Sequence, residues 1–136
     1  MSTALIDEEI TRAIIGAFYC VYNTLGFGFL ESIYVSALEL ELQKRGRKVG
    51  REVQIRIRYG GREVGLHRLD MLVDERVVVE VKSCADLPKA ASRQVYNYLR
   101  ATNLEVGLLL HFGQEPKFHR SINQRPTAVD LSVVSG

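Results

Sequence analysis

The chain has 136 residues, 46% of them apolar and 25% charged, with 3 prolines and 2 cysteines. One domain with its own hydrophobic core, residues 1–136, fits that length and composition; a two-domain enzyme, a disordered chain and a basic tail do not. The net charge of +2 conceals a polarity: residues 1–43 hold one base against six acids, residues 44–62 eight bases against Glu52 alone, and the remainder nine of each.

Asp7, Glu8 and Glu9 open a segment in which Ile10, Ala13, Ile14, Ala17, Phe18, Val21 and Leu25 recur at three- and four-residue steps. This predicts a helix ended by Gly26 and Gly28. Cys20 fits the same core stripe. Residues 13–30 carry no charge, yet Asn23, Thr24, Gly26 and Gly28 interrupt them, so they read as a buried helix and its exit turn, not a membrane span. The acidic start lacks the basic residues of a secretory signal, and two cysteines without Cys-x-x-Cys spacing point to a reducing, cytoplasmic setting. A second helix is predicted over about 29–45, with Leu30, Ile33, Tyr34, Ala37, Leu38 and Leu42 on one face and Gly46 as its stop.

From Lys48 the period changes to two. Val53, Ile55 and Ile57 alternate with Gln54, Arg56 and Arg58 up to a Gly60-Gly61 hairpin turn, a return strand runs over about 62–73, and a third strand occupies 77–82. Pro88 suits a first helical turn, and Ala91, Gln94, Val95, Tyr98 and Leu99 line one face of a helix to about residue 102. The apolar run 106–112 predicts a strand buried on both faces, and Phe118 marks an edge strand in the tail. The order helix, helix, three strands, helix, strand gives an α/β fold of the α+β mixed-sheet kind.

Four polar placements conflict with these elements. A three-residue loop at 74–76 pairs Asp70 directly with Glu80. It also sorts Met71, Val73, Val77, Val79 and Val81 onto one apolar face, with Asp70, Leu72, Val78, Glu80 and Lys82 on the other. Two carboxylates about 5 Å apart on neighbouring strands repel, and Lys82 neutralises only one of them. A divalent cation would relieve the conflict; a salt-bridged sheet surface is the alternative. Glu31 lies in line with Tyr34, Leu38 and Leu42, where a carboxylate needs a partner or a metal, unless it serves the helix dipole from the first turn. Gln94 and Tyr98, one turn apart, need hydrogen-bond partners if buried, and the plain reading is a core glutamine bonded to backbone.

In this order these residues resemble the PD-(D/E)xK nuclease superfamily, and within it the GxxExxY branch, whose motif is matched by Gly28, Glu31 and Tyr34. Asp70 matches the first motif aspartate, with Leu69 in place of proline; Glu80-Val81-Lys82 matches the Glu-x-Lys element; Gln94 with Tyr98 is similar to the Gln-x-x-x-Tyr motif of helicase-associated members. The resemblance runs from about residue 8 to residue 113. It implies a restriction-endonuclease-like core over about 29–112, helix, three-stranded antiparallel meander, helix and strand, behind an extra N-terminal helix. It also implies a Mg²⁺-dependent nuclease, with Mn²⁺ as a substitute, that hydrolyses phosphodiester bonds. Asp70, Glu80 and the Val81 carbonyl would hold the catalytic ion, and Glu31 a second ion or a water. Lys82 would orient and help deprotonate the attacking water or stabilise the phosphorane. Gln94 would position the water or a phosphate oxygen, with Tyr98 in support.

Nucleic acid, DNA rather than RNA, is the expected partner. Lys44, Arg45, Arg47, Lys48 and Arg51 could meet its backbone, although a basic helix end followed by Arg56 and Arg58 is also what a solvated face looks like. His67 and Arg68 could touch phosphate, or Arg68 could pair with Glu80 or Glu31. Cys84 reads as a small filler, and His111 and His119 have no evident partner. So small a domain has little surface to enclose a duplex, which leaves room for a homodimer or a partner protein. The other functional reading is a catalytically silent nucleic-acid- or protein-binding module that retains the fold.

Overall fold

A computed structural model describes residues 7–124. Its elements are α1 (Glu8–Leu25), α2 (Glu31–Lys44), β1 (Val49–Tyr59), β2 (Arg62–Val73), β3 (Val77–Lys82), α3 (Ala91–Arg100), β4 (Val106–Phe112) and β5 (Pro116–Ile122). The strands form one five-stranded sheet in the order β1-β2-β3-β4-β5. Only β3 and β4 pair in parallel, because α3 carries the chain back across the sheet between them. α1 and α2 cover one face and α3 the other. This is the expected mixed α/β fold of the restriction-endonuclease kind, with the edge strand at Phe118 present as β5. No helix among the described residues is long and apolar enough to cross a membrane.

Gly60 and Gly61 take φ of 61° and 75°, the two left-handed positions that a two-residue hairpin turn needs. The turn from β2 to β3 has three residues, since Val73 pairs with Val77. Asp74 and Glu75 are left-handed there, and the Asp74 carboxylate holds the turn by accepting bonds from the Lys48 N–H and from Arg47. As this odd loop requires, Met71, Val73, Val77, Val79 and Val81 all join the core beneath α1 and α2.

Alternation fails further back on β2. Leu69 and Leu72 both join the cluster beneath α3, so the strand changes face between Leu69 and Met71. Arg51 pairs with Met71 and Val53 with Leu69. Between them lies Glu52 at φ 54°, an irregularity that turns the residues before Asp70 to the opposite side.

α1 buries Ile10, Ile14, Ala17, Phe18 and Val21. Cys20 is exposed rather than part of that stripe, since one residue from Val21 is about 100° around a helix. α2 buries Tyr34, Val35, Leu38 and Leu42, whereas Leu30 and Ile33, expected on the same face, are 72% and 42% exposed. The helix starts only after Leu30 and docks through the row of residues 34, 38 and 42. β4 is buried along its whole length, as its apolar run requires. α3 approaches it so closely that a Cβ on Gly107 would lie 2.6 Å from Val95 Cγ1. At the end of β4 the buried His111 places Nε2 at 2.8 Å from the Cys84 carbonyl, a partner distant in sequence.

Candidate active site

Regular backbone pairing of β2 with β3 ends at Met71 and Val79. One step further, side chains take over the ladder: Glu80 Oε2 accepts the Asp70 N–H at 3.0 Å, and Asp70 Oδ2 accepts the Val81 N–H at 2.8 Å. These reciprocal bonds hold both carboxylates without a basic side chain. Glu80 is only 6% exposed. Burial first, then the Asp70 charge, push its pKa up to about 7, opposed by the Asp70 N–H and by Lys82. Burial also raises Asp70, with Glu31 adding to the effect and the Val81 N–H, Lys82 and His67 opposing it. Lys82 thus acts on both carboxylates, yet forms no ion pair among the described residues. The salt-bridged sheet surface is not what the strands build.

Glu31 opens α2, and its Oε2 accepts the Ser83 N–H at 3.1 Å. This ties the start of the helix to the residue after Lys82, and the Glu31 charge reaches both Asp70 and Glu80. The preceding loop sets its position. Gly28 has φ 108°, where a side chain would be strained. The Tyr34 hydroxyl donates to the Gly26 carbonyl at 2.6 Å and accepts the Phe29 N–H at 3.2 Å, while its ring stacks on Phe112 at 3.9 Å. Tyr34 is therefore the anchor of the loop that delivers Glu31.

From the other face α3 supplies Tyr98, whose ring stacks on His67 at 4.0 Å. Burial, then the Glu80 and Asp70 charges, raise the Tyr98 hydroxyl. His67 Nε2 lies 3.5 Å from Glu80 Oε1, but it is buried without a hydrogen bond, so the contact is electrostatic only. Burial lowers the His67 pKa, with Asp70 opposing and Lys82 adding to the effect. Arg68 is exposed and forms no ion pair with Glu80 or Glu31, which leaves the phosphate alternative; the face change at Asp70 puts His67 by Glu80. Gln94, expected to share the buried face with Tyr98, is exposed, because α3 docks through Ala91, Val95 and Leu99.

The chain matches the family model for the PD-(D/E)XK nuclease superfamily over residues 8–124. It belongs to that superfamily. No curated protein and no solved structure matches it.

Nucleases of the PD-(D/E)XK superfamily typically use divalent metals. Among the described residues no three His, Cys, Asp or Glu side chains form a group that could hold a metal ion. Glu31, Asp70 and Glu80 each give one carboxylate oxygen to a different backbone N–H and keep the other. Asp70 and Glu80 remain, a sparse oxygen donor set that suits a hard cation retaining its waters.

The basic residues expected to meet nucleic acid form ion pairs within the chain. Lys44 and Arg45 face Glu41, Arg47 faces Glu9 and Asp74, Lys48 faces Glu75, and Arg51 faces Glu39. A 14-residue α2 puts Lys44 about 20 Å from Glu31. On the β1–β2 hairpin, Arg58, Arg62 and Arg68 form no ion pair among the described residues, and Arg68 stands two residues from Asp70.

Proposed function

We propose that this PD-(D/E)XK domain is a Mg²⁺-dependent nuclease of the GxxExxY branch, hydrolysing phosphodiester bonds in DNA rather than RNA, in the cytoplasm. The observation that carries the reading is the pairing of half-buried Asp70 with buried Glu80, with Lys82 acting on both. Like charges about 4 Å apart repel by roughly 4 kcal/mol at an effective dielectric near 20, and Lys82 offsets only part of that. Asp70 and Glu80, with the Val81 carbonyl, would hold the ion, and Mn²⁺ would serve as well; Glu31 would take a second ion or a water. A bound divalent ion supplies neutralisation of the phosphate charge and a more acidic water.

The chain's own groups do the rest. The Lys82 ammonium donates to the attacking water and to a phosphate oxygen as charge builds on it. Glu80 is kept in place by the Asp70 N–H and flanked by the His67–Tyr98 stack. The exposed Gln94 amide can orient the water or a phosphate oxygen, and Arg68 can meet the adjacent backbone phosphate. A second copy or a partner protein would complete the surface around a duplex.

Incubation of plasmid and single-stranded DNA with the full chain and Mg²⁺ or Mn²⁺ should give nicking or degradation. Asp70→Ala and Lys82→Ala should each lose about 100-fold or more of that activity. Unchanged activity in these variants would refute the reading. Melting without and with millimolar Mg²⁺ separates the silent binding module, whose melting temperature would not move.

A further inference from the structure

A cavity of about 680 Å³ opens beside the carboxylate site, and Glu31 and Ser83 line both. Its other walls include Phe27, Phe29, Leu30 and Phe112. Folding leaves Phe27 55%, Phe29 44% and Leu30 72% exposed, three large apolar side chains within four positions at the mouth of one cavity, a pattern that marks a binding surface. The wall is held in shape: Tyr34 bonds Gly26 and Phe29, stacks on Phe112 and meets the Phe29 ring edge-on at 6.0 Å.

Charge decides what the cavity takes. Among the described residues Glu31 is its only ionic lining residue, with Ser32, Ser83 and Gln114 as neutral polar ones, so the occupant is not a phosphate. A flat, neutral ring with polar edges matches aromatic faces ringed by hydroxyls and an amide. Since Ser83 follows Lys82 directly, such a ring would lie within a nucleotide or so of a phosphate at the carboxylates.

We propose that this cavity binds one unpaired nucleobase of the substrate strand, which makes single-stranded, frayed or flipped nucleic acid the substrate class; the inference rests on the nuclease reading above. A base inside a duplex is stacked and paired and cannot enter. Stacking on an aromatic side chain tolerates any base, so the cavity selects strandedness rather than sequence.

Fluorescence anisotropy of the full chain, in Ca²⁺ to neutralise the carboxylates, would compare a labelled oligothymidylate with an abasic strand of the same length and backbone. The oligothymidylate should bind about 5- to 100-fold more tightly, the range for one stacked base. Phe27→Ala should abolish the difference and Phe27→Tyr retain it, circular dichroism confirming that both fold. Equal binding of the two strands, absence of binding to either, or a preference that survives Phe27→Ala would overturn the proposal. So would self-association of the wild type that Phe27→Ala disperses, which would give the patch to a second copy. Cleavage assays keep the two readings apart: activity that persists in Asp70→Ala sinks the nuclease reading, whereas inactive Asp70→Ala with equal strand binding sinks the nucleobase cavity alone.

Discussion

Glu80→Gln removes the buried one of two adjacent charges while keeping an oxygen that can accept the Asp70 N–H. Burial and the Asp70 charge lift Glu80 from an ordinary 4.5 to about 7. At about 1.4 kcal/mol per pH unit, ionised Glu80 costs the metal-free fold up to about 3 kcal/mol. A raised carboxyl pKa means that the folded protein keeps a proton which the unfolded chain has released. The cost is therefore absent below about 4.5, grows between 4.5 and 7, and is full above 7. Asp70, also raised, acts in the same sense. His67, lowered by burial, acts oppositely, gaining stability as the unfolded imidazole loses its proton. Comparing variant with wild type isolates Glu80. In chelator, urea or thermal unfolding should show Glu80→Gln near the wild type at pH 4.5 and about 2–3 kcal/mol more stable at pH 8, on the order of 10 °C in melting temperature. Mg²⁺ at pH 8 should then raise the wild type more than the variant. Parallel pH profiles, with the variant displaced equally at both pH values, would refute the assignment of an uncompensated charge to Glu80.

Tyr34→Phe keeps the ring stack on Phe112 but leaves the Gly26 carbonyl and the Phe29 N–H without their hydroxyl partner. It should cost about 1–3 kcal/mol in urea unfolding; a cost below about 0.5 kcal/mol would deny Tyr34 its anchoring role. Gly107→Ala places a Cβ 2.6 Å from Val95 Cγ1 and should cost about 1–3 kcal/mol through overpacking of α3 on β4. Adding Val95→Ala should relieve part of that cost in a double-mutant cycle, and strict additivity would show that the contact is not the cause.

Much of the site is legible in residue order because its parts are local. A three-residue turn and the two-residue period of β-strands put Asp70 opposite Glu80, and Gly28, Glu31 and Tyr34 lie within one loop and helix start. His67 is less legible. Its place by Glu80 depends on the change of face at Asp70, opposite left-handed Glu52, and strict alternation assigns the wrong neighbours there. Gln94 illustrates a second limit: a helix face drawn from spacing includes positions at its margin, and only docking on the sheet decides whether the margin is wet.

The basic stretch shows the division most clearly. Residue types alone determine that bases crowd into 44–62, that a helix precedes them and that strands follow. Only the tertiary structure brings Asp74 and Glu75 to Arg47 and Lys48, and Glu39 to Arg51, since those partners arrive through a strand turn and a helix packed alongside. Charge pairing depends on separation in space, which local periods do not encode across elements. For the same reason the Asp70–Glu80 clash could be foreseen from one hairpin, whereas the cavity framed by Phe27, Phe29 and Phe112 required the loop before α2 to meet the end of β4.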